Sequence, residues 1–221
     1  MAERLQIPVG SRSVSGLLTS ADDPAAFAII AHGAGAGMEH PFMAGVSEGL
    51  AANGVSVLRF NFVYAEQGRR SPDRPALLTE AWSAALEMGI ARAGGLPVLA
   101  GGKSMGGRIA SMLAAERGTE FPARALVFFG YPLHAPGRRD QPRDTHLPDV
   151  TVPMLFIQGT DDALATYAMM QELVRRLGPL ARLHTVEGGD HSFRVRGARR
   201  PDDETGRALG AVAAAFIREV A

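Results

Sequence analysis

The chain has 221 residues, 46% hydrophobic and 21% charged, an ordinary balance for one α/β domain large enough to bury its own core. Lysine plus arginine and aspartate plus glutamate both number 23, so the net charge is zero and no basic field points to nucleic acid or an anionic membrane. With no cysteine there is no disulfide framework, thiol nucleophile or thiolate metal site. Residues 1–6 carry no apolar signal region and no apolar run reaches the roughly 18 residues of a membrane span, so a soluble, cytoplasmic protein is expected.

In chain order, residues 4–9 and 13–19 read as a hairpin of strands. Residues 27–31 form a continuous apolar run, the pattern of a strand buried on both faces. The turn-rich segment His32-Gly33-Ala34-Gly35-Ala36-Gly37 follows it. A helix over about 41–52 stops at Asn53-Gly54, and residues 55–60 give the next strand. A long helix covers about 75–91. Residues 96–100 form a strand, and residues 108–115 a helix. Strands follow at 125–129 and 153–157, a helix over about 163–177 and a short strand over 181–186. The last helix carries Leu209, Val212, Ala213, Phe216, Ile217 and Val220 at i, i+3, i+4, i+7 spacing. Strands alternating with helices predict a single domain, residues 1–221, with a parallel sheet covered on both faces.

Between strand 96–100 and its helix lies Gly102-Lys103-Ser104-Met105-Gly106-Gly107. Strand, Gly-x-Ser-x-Gly, helix is the layout of a nucleophile elbow, in which a strained bend holds a serine hydroxyl clear of the backbone. A phosphate-binding loop shares the Gly-Lys-Ser sequence but needs a glycine five residues earlier, where this chain has Pro97. Lys103 is the sole lysine in the chain, and its side chain is expected to point away from the site.

A serine hydroxyl needs a histidine to accept its proton and a carboxylate to orient that histidine. Sites on such sheets lie at the carboxyl ends of the strands. There the chain offers Asp161-Asp162 after one strand and His191, in Gly188-Gly189-Asp190-His191-Ser192-Phe193, after another. The order Ser, Asp, His suits the elbow. His184 falls within a strand, His134 and His146 in a Pro/Arg-rich loop expected to be solvated, and His32 in the first loop, which it would shape. One of Asp161 and Asp162 would face His191 while the other caps the next helix. Asp190 is too near His191 in sequence to orient its ring. Two backbone N–H groups must receive the oxyanion: that of Met105, and that of Ala34 or its neighbour Gly33. Gly33-x-Gly35-x-Gly37 lacks dinucleotide-loop spacing, no metal-ligand spacing is present, and no cofactor is expected.

Together His32-Gly33-Ala34-Gly35, Arg59-Phe60-Asn61-Phe62, Gly68-Arg69-Arg70-x-Pro72, the elbow block through Arg108, Gln158-Gly159-Thr160-x-Asp162 and Gly188 to Phe193 resemble an α/β-hydrolase over nearly the whole chain. More narrowly, they resemble the small dienelactone-hydrolase-like family that includes testis-expressed protein thirty and the third subunit of the NSL chromatin complex. The resemblance implies an α/β-hydrolase fold, with a mostly parallel central sheet, helices on both faces and little or no lid. It also implies Asp162 as the acid. True dienelactone hydrolases use a cysteine nucleophile, which this chain lacks, so that substrate does not carry over.

The expected activity is hydrolysis of a small to medium carboxylic ester or thioester by Ser104, Asp162 and His191 through an acyl-enzyme. The alternative is a catalytically silent hydrolase-fold interaction protein. The insert at residues 131–152 is too short for a substantial helical lid. Arg69, Arg70 and Arg74, Arg138, Arg139 and Arg143, and Arg194, Arg196, Arg199 and Arg200 fall in loops expected to rim the site. Arg69 and Arg70 are the candidates for binding an anionic substrate group; an arginine-rich surface balanced by acids is the competing reading.

Overall fold

The computed structural model describes residues 2–220. An eight-stranded sheet has the spatial order β1-β2-β4-β3-β5-β6-β7-β8. Here β1 is Glu3–Val9, β2 Arg12–Thr19, β3 Ala26–Ala31, β4 Val55–Phe60, β5 Val98–Lys103, β6 Ala125–Phe129, β7 Met154–Gly159 and β8 Ala181–Val186. The β1–β2 and β2–β4 pairs are antiparallel and all other pairs parallel. Strands β3 and β6 are buried at every position, as their unbroken apolar runs predict, and β4 is equally buried although it carries Ser56 and Arg59.

Helices α3 (Pro75–Ala93), α4 (Met105–Arg117) and α5 (Tyr167–Leu177) cover one face, where Trp82, Phe60, Phe128 and Phe156 build the larger core. Helices α1 (Pro41–Ala51) and α6 (Asp202–Val220) cover the other. These two cross backbone to backbone. A methyl group on Gly45 would lie 2.0 Å from the Asp203 carbonyl oxygen, and one on Gly206 would lie 2.2 Å from that of Phe42. No side chain larger than hydrogen fits there. The crossing sets the spacing between Phe42 and Met43 on α1 and Asp202 on α6, which later prove to line one cavity.

Three elements depart from the sequence reading. A short helix, α2 (Val63–Glu66), follows β4 within a segment read as loop. Strand β5 runs on to Lys103, delivering Ser104 directly from the sheet. Helix α5 begins at Tyr167, not near 163, because the preceding backbone is spoken for. Leu164 N–H bonds the Asp162 carboxylate at 2.7 Å, the Leu164 carbonyl accepts from His134 N–H at 2.9 Å, and Thr166 N–H donates to His134 Nε2 at 3.1 Å.

The insert between β6 and β7 holds only a 3₁₀ turn, Leu147–Asp149, and forms no lid. It folds down on the body, burying Leu133, Leu147 and Val150, with the Tyr131 hydroxyl donating to the Arg143 carbonyl at 2.8 Å. His134 and His146 are therefore not solvated as the loop composition suggested. His134 is 1% exposed, and His146 Nε2 meets Ser111 Oγ at 2.8 Å. Burial, with Arg108 nearby, lowers the His146 pKa to about 4.

Candidate active site

Ser104 stands between β5 and α4 at φ 50°, ψ −116°, one of two non-glycine residues with positive φ among those described. The flanking glycines allow that bend. A methyl group on Gly102 would come within 2.3 Å of the Ala31 carbonyl oxygen, and one on Gly106 within 2.6 Å of the Ala31 and His32 oxygens. The motif is small because β3 passes against it.

Ser104 Oγ lies 2.8 Å from His191 Nε2, and His191 Nδ1 lies 2.7 Å from Asp162 Oδ2. The Asp162 side chain is fully buried, whereas the His191 ring keeps 25% of its surface open to the cavity. Asp162 is held by more than the histidine: Gln158 Nε2 donates to Oδ2, and Leu164 N–H to Oδ1 at 2.7 Å. Gln158 Oε1 in turn accepts from Tyr131 N–H at 2.9 Å, which fixes the amide so that its NH₂ faces the carboxylate. Asp162 thus both orients His191 and ties down the following turn. Asp161, expected to take whichever of the two jobs Asp162 left, is exposed and does neither. Asp190 braces its own turn, accepting from Ser192 and Arg194 N–H groups at 2.8 and 2.9 Å.

The loop after β3 is fixed from behind. His32 Nε2 accepts from Phe62 N–H at 3.1 Å, so in the neutral ring the proton sits on Nδ1, which donates to the Gly33 carbonyl at 2.8 Å. Burial lowers the His32 pKa to about 4, keeping the ring neutral at ordinary pH. The Tyr64 hydroxyl, whose pKa burial raises to about 12, donates to the same carbonyl at 3.3 Å. In a trans peptide the N–H points opposite to the carbonyl, so anchoring Gly33 O inward turns Ala34 N–H outward. Met105 heads α4, where the first N–H groups have no helical partner. Neither N–H donates to an acceptor among the described residues.

A cavity of about 280 Å³ opens over Ser104 and His191. Ala34, Ala36, Phe42, Met43 and Leu164 give it an apolar wall, and His40 and the Arg194–Asp202 pair a polar end. Arg69 and Arg70 do not line it; Arg69 is engaged by Gln67 at 3.0 Å and by Asp73. Of the rim arginines, Arg194 is the one at the cavity. Lys103 does not point away as expected: its ammonium donates to the His191 carbonyl at 2.7 Å. Tyr64 carried no sequence signal of its role, because it acts on the Gly33 carbonyl, 31 positions away. Among the described residues no cluster of His, Asp and Glu could hold a metal ion, and no helix is long and apolar enough to cross a membrane.

Fold and site together define a hydrolase architecture, and the comparisons agree. Residues 24–220 match the family model described as an alpha/beta hydrolase domain, and the chain belongs to that family. Among solved structures it is similar to a dienelactone hydrolase from Anabaena variabilis, at 22% identity over 100% of this chain and 98% of that one, with a TM-score of 0.76. Est1E from Butyrivibrio proteoclasticus, solved with ferulic acid bound, matches at 16% identity over 98% of both chains, with a TM-score of 0.77. A serine hydrolase without a lid from Xanthomonas campestris matches at 17% identity over 99% of this chain and 94% of that one, with a TM-score of 0.74. At these identities the likeness is one of fold.

Proposed function

We propose that this protein is a serine hydrolase that cleaves a small to medium carboxylic ester or thioester through an acyl-enzyme on Ser104. One observation carries the reading: the unbroken chain Ser104 Oγ, His191, Asp162, with steps of 2.8 and 2.7 Å, opening into a cavity. In this mechanism His191 Nε2 takes the Ser104 proton as Oγ adds to the substrate carbonyl carbon. Asp162, accepting from Nδ1–H, stabilises the imidazolium that forms. The carbonyl oxygen becomes an oxyanion, which Ala34 and Met105 N–H groups receive. Collapse of the tetrahedral adduct expels the leaving alcohol or thiol, which takes the proton from His191. Water, deprotonated by the same histidine, then attacks the acyl carbon and releases the acid and free Ser104.

The apolar wall and the self-neutralised Arg194–Asp202 pair favour neutral acyl groups over anionic ones. The lidless site favours short or surface-exposed esters over buried long lipids. A p-nitrophenyl ester series tests both points: kcat/KM should be highest for acetate to hexanoate and fall for long chains and for acyl groups ending in a carboxylate. A preference for long or acidic chains would contradict the substrate assignment. A well-folded wild type that hydrolyses none of the series would instead favour the silent interaction protein.

A further inference from the structure

Lys103 is the sole lysine in a chain whose other basic positions are all arginine, and it ends β5 directly before Ser104. Its partly buried side chain runs beneath the loop that carries His191. Nζ donates to the His191 carbonyl at 2.7 Å and lies 5.5 Å from the centre of the Phe193 ring. Phe193 is itself strained, at φ 62°, and stacks on Phe42 of α1 with ring centres 5.6 Å apart. A methyl group on Gly130 would sit 3.0 Å from Nζ and 3.6 Å from His191 Cε1, so ammonium and imidazole flank one glycine at the end of β6. The charged groups facing Nζ are Asp162 after β7 and Asp190 after β8. A compact ammonium fits this slot and reaches a single carbonyl; a planar guanidinium would press on Gly130.

We infer that Lys103 is a positioning residue: by holding the His191 carbonyl it keeps the base at hydrogen-bonding distance from Ser104. The strand that delivers the nucleophile thereby also grips the loop that delivers the base, so their separation does not depend on the longer path through β8. Lys103 lines the cavity beside Ser104, but its ammonium is committed to the His191 carbonyl rather than to the proton in flight. Burial lowers its pKa to about 8, which agrees with an ammonium confined between backbone and ring. The inference rests on the reading of Ser104 and His191 as nucleophile and base.

The absence of cysteine allows a clean chemical test. Lys103→Cys creates a single thiol, and alkylation with 2-bromoethylamine places an ammonium back at lysine's reach, with sulfur in place of Cγ. Alkylation with 1-bromopropane restores the bulk without the donor. With p-nitrophenyl butyrate, kcat of Lys103→Met and of the S-propyl protein should fall about ten- to hundredfold with KM little changed, and the S-aminoethyl protein should recover most of it. In parallel, the downfield proton resonance of His191 Nδ1–H should broaden or vanish in Lys103→Met and return in the S-aminoethyl protein. Wild-type kcat in Lys103→Met, or equal recovery by the propyl group, would overturn the inference. A wild type that turns nothing over would contradict the hydrolase reading instead. The downfield resonance then decides for Lys103 alone: lost in Lys103→Met supports the positioning role, and retained overturns it.

Discussion

Around Ser104 the polar side chains are buried or half-buried and linked to one another, whereas of the arginines along the rim only Arg69, Arg138 and Arg194 face an acid. Asp162 receives hydrogen bonds from His191, Gln158 and Leu164, and the Gly33 carbonyl receives them from both His32 and Tyr64. On the rim, Arg138 faces Asp140 at 4.0 Å and Arg194 faces Asp202 at 3.0 Å. Buried bonds act in a low dielectric and fix geometry, while exposed pairs are screened by water and salt. Geometry at this site therefore comes from the buried network, and under the proposed function the rim's charges are expected to add little to recognition.

That contrast can be broken at several levels. Ser104→Ala and Asp162→Asn should each lower kcat/KM by about 10⁴-fold or more in ester hydrolysis, with the fold intact by circular dichroism. Gly45→Ala forces a methyl group against the Asp203 carbonyl. It should lower the thermal midpoint, reflecting a loss of about 1–3 kcal/mol by denaturant unfolding, and weaken activity through the displaced Phe42 wall. Tyr64→Phe removes one of two side-chain donors to Gly33 O and should cost about two- to tenfold in kcat, with KM nearly unchanged. Arg69→Ala and Arg70→Ala should leave kcat/KM within about twofold at moderate salt. A large drop in either would restore the rim to the site.

The buried histidines also set a pH window for stability. His32 and His146 have folded pKa values of about 4, below the ordinary imidazole value of 6.5, so the unfolded chain binds protons that the folded chain refuses. Their contribution is fully present above about pH 6.5 and is lost as the pH falls towards 4. Urea midpoints should decline across that interval, and His146→Gln should flatten the decline. A midpoint constant from pH 7 to 4.5 would contradict the buried neutral rings. Lys103 titrates with the same sign at higher pH. Its pKa is lowered to about 8, so the folded chain releases a proton before the unfolded one, and stability gains from this group as pH rises from about 8 to 10.5.

Most of the sheet was legible because buried parallel strands leave unbroken apolar runs, as at residues 27–31 and 125–129. The elbow was legible because close approach to β3 demands glycine at 102 and 106, a demand written locally. The placement of His191 and Asp162 followed from strand ends. Contacts between distant segments left no such trace. The start of α5 is set by His134 rather than by its own sequence, and the solvation expected of His134 and His146 failed because the insert folds onto the body, His134 against Thr166 and His146 against Ser111 of α4. The choice between Asp161 and Asp162 was open to spacing alone, and the fold resolves its geometry by placing only Asp162 beside His191. Lys103 was misread because nothing in its neighbours announces a carbonyl 88 positions away.

The most direct measurement is covalent labelling with a fluorophosphonate, followed by peptide mass spectrometry. The account predicts a single adduct on Ser104, absent in Ser104→Ala and strongly slowed in His191→Gln. A folded wild type that remains unlabelled, or an adduct on any other serine, would contradict it.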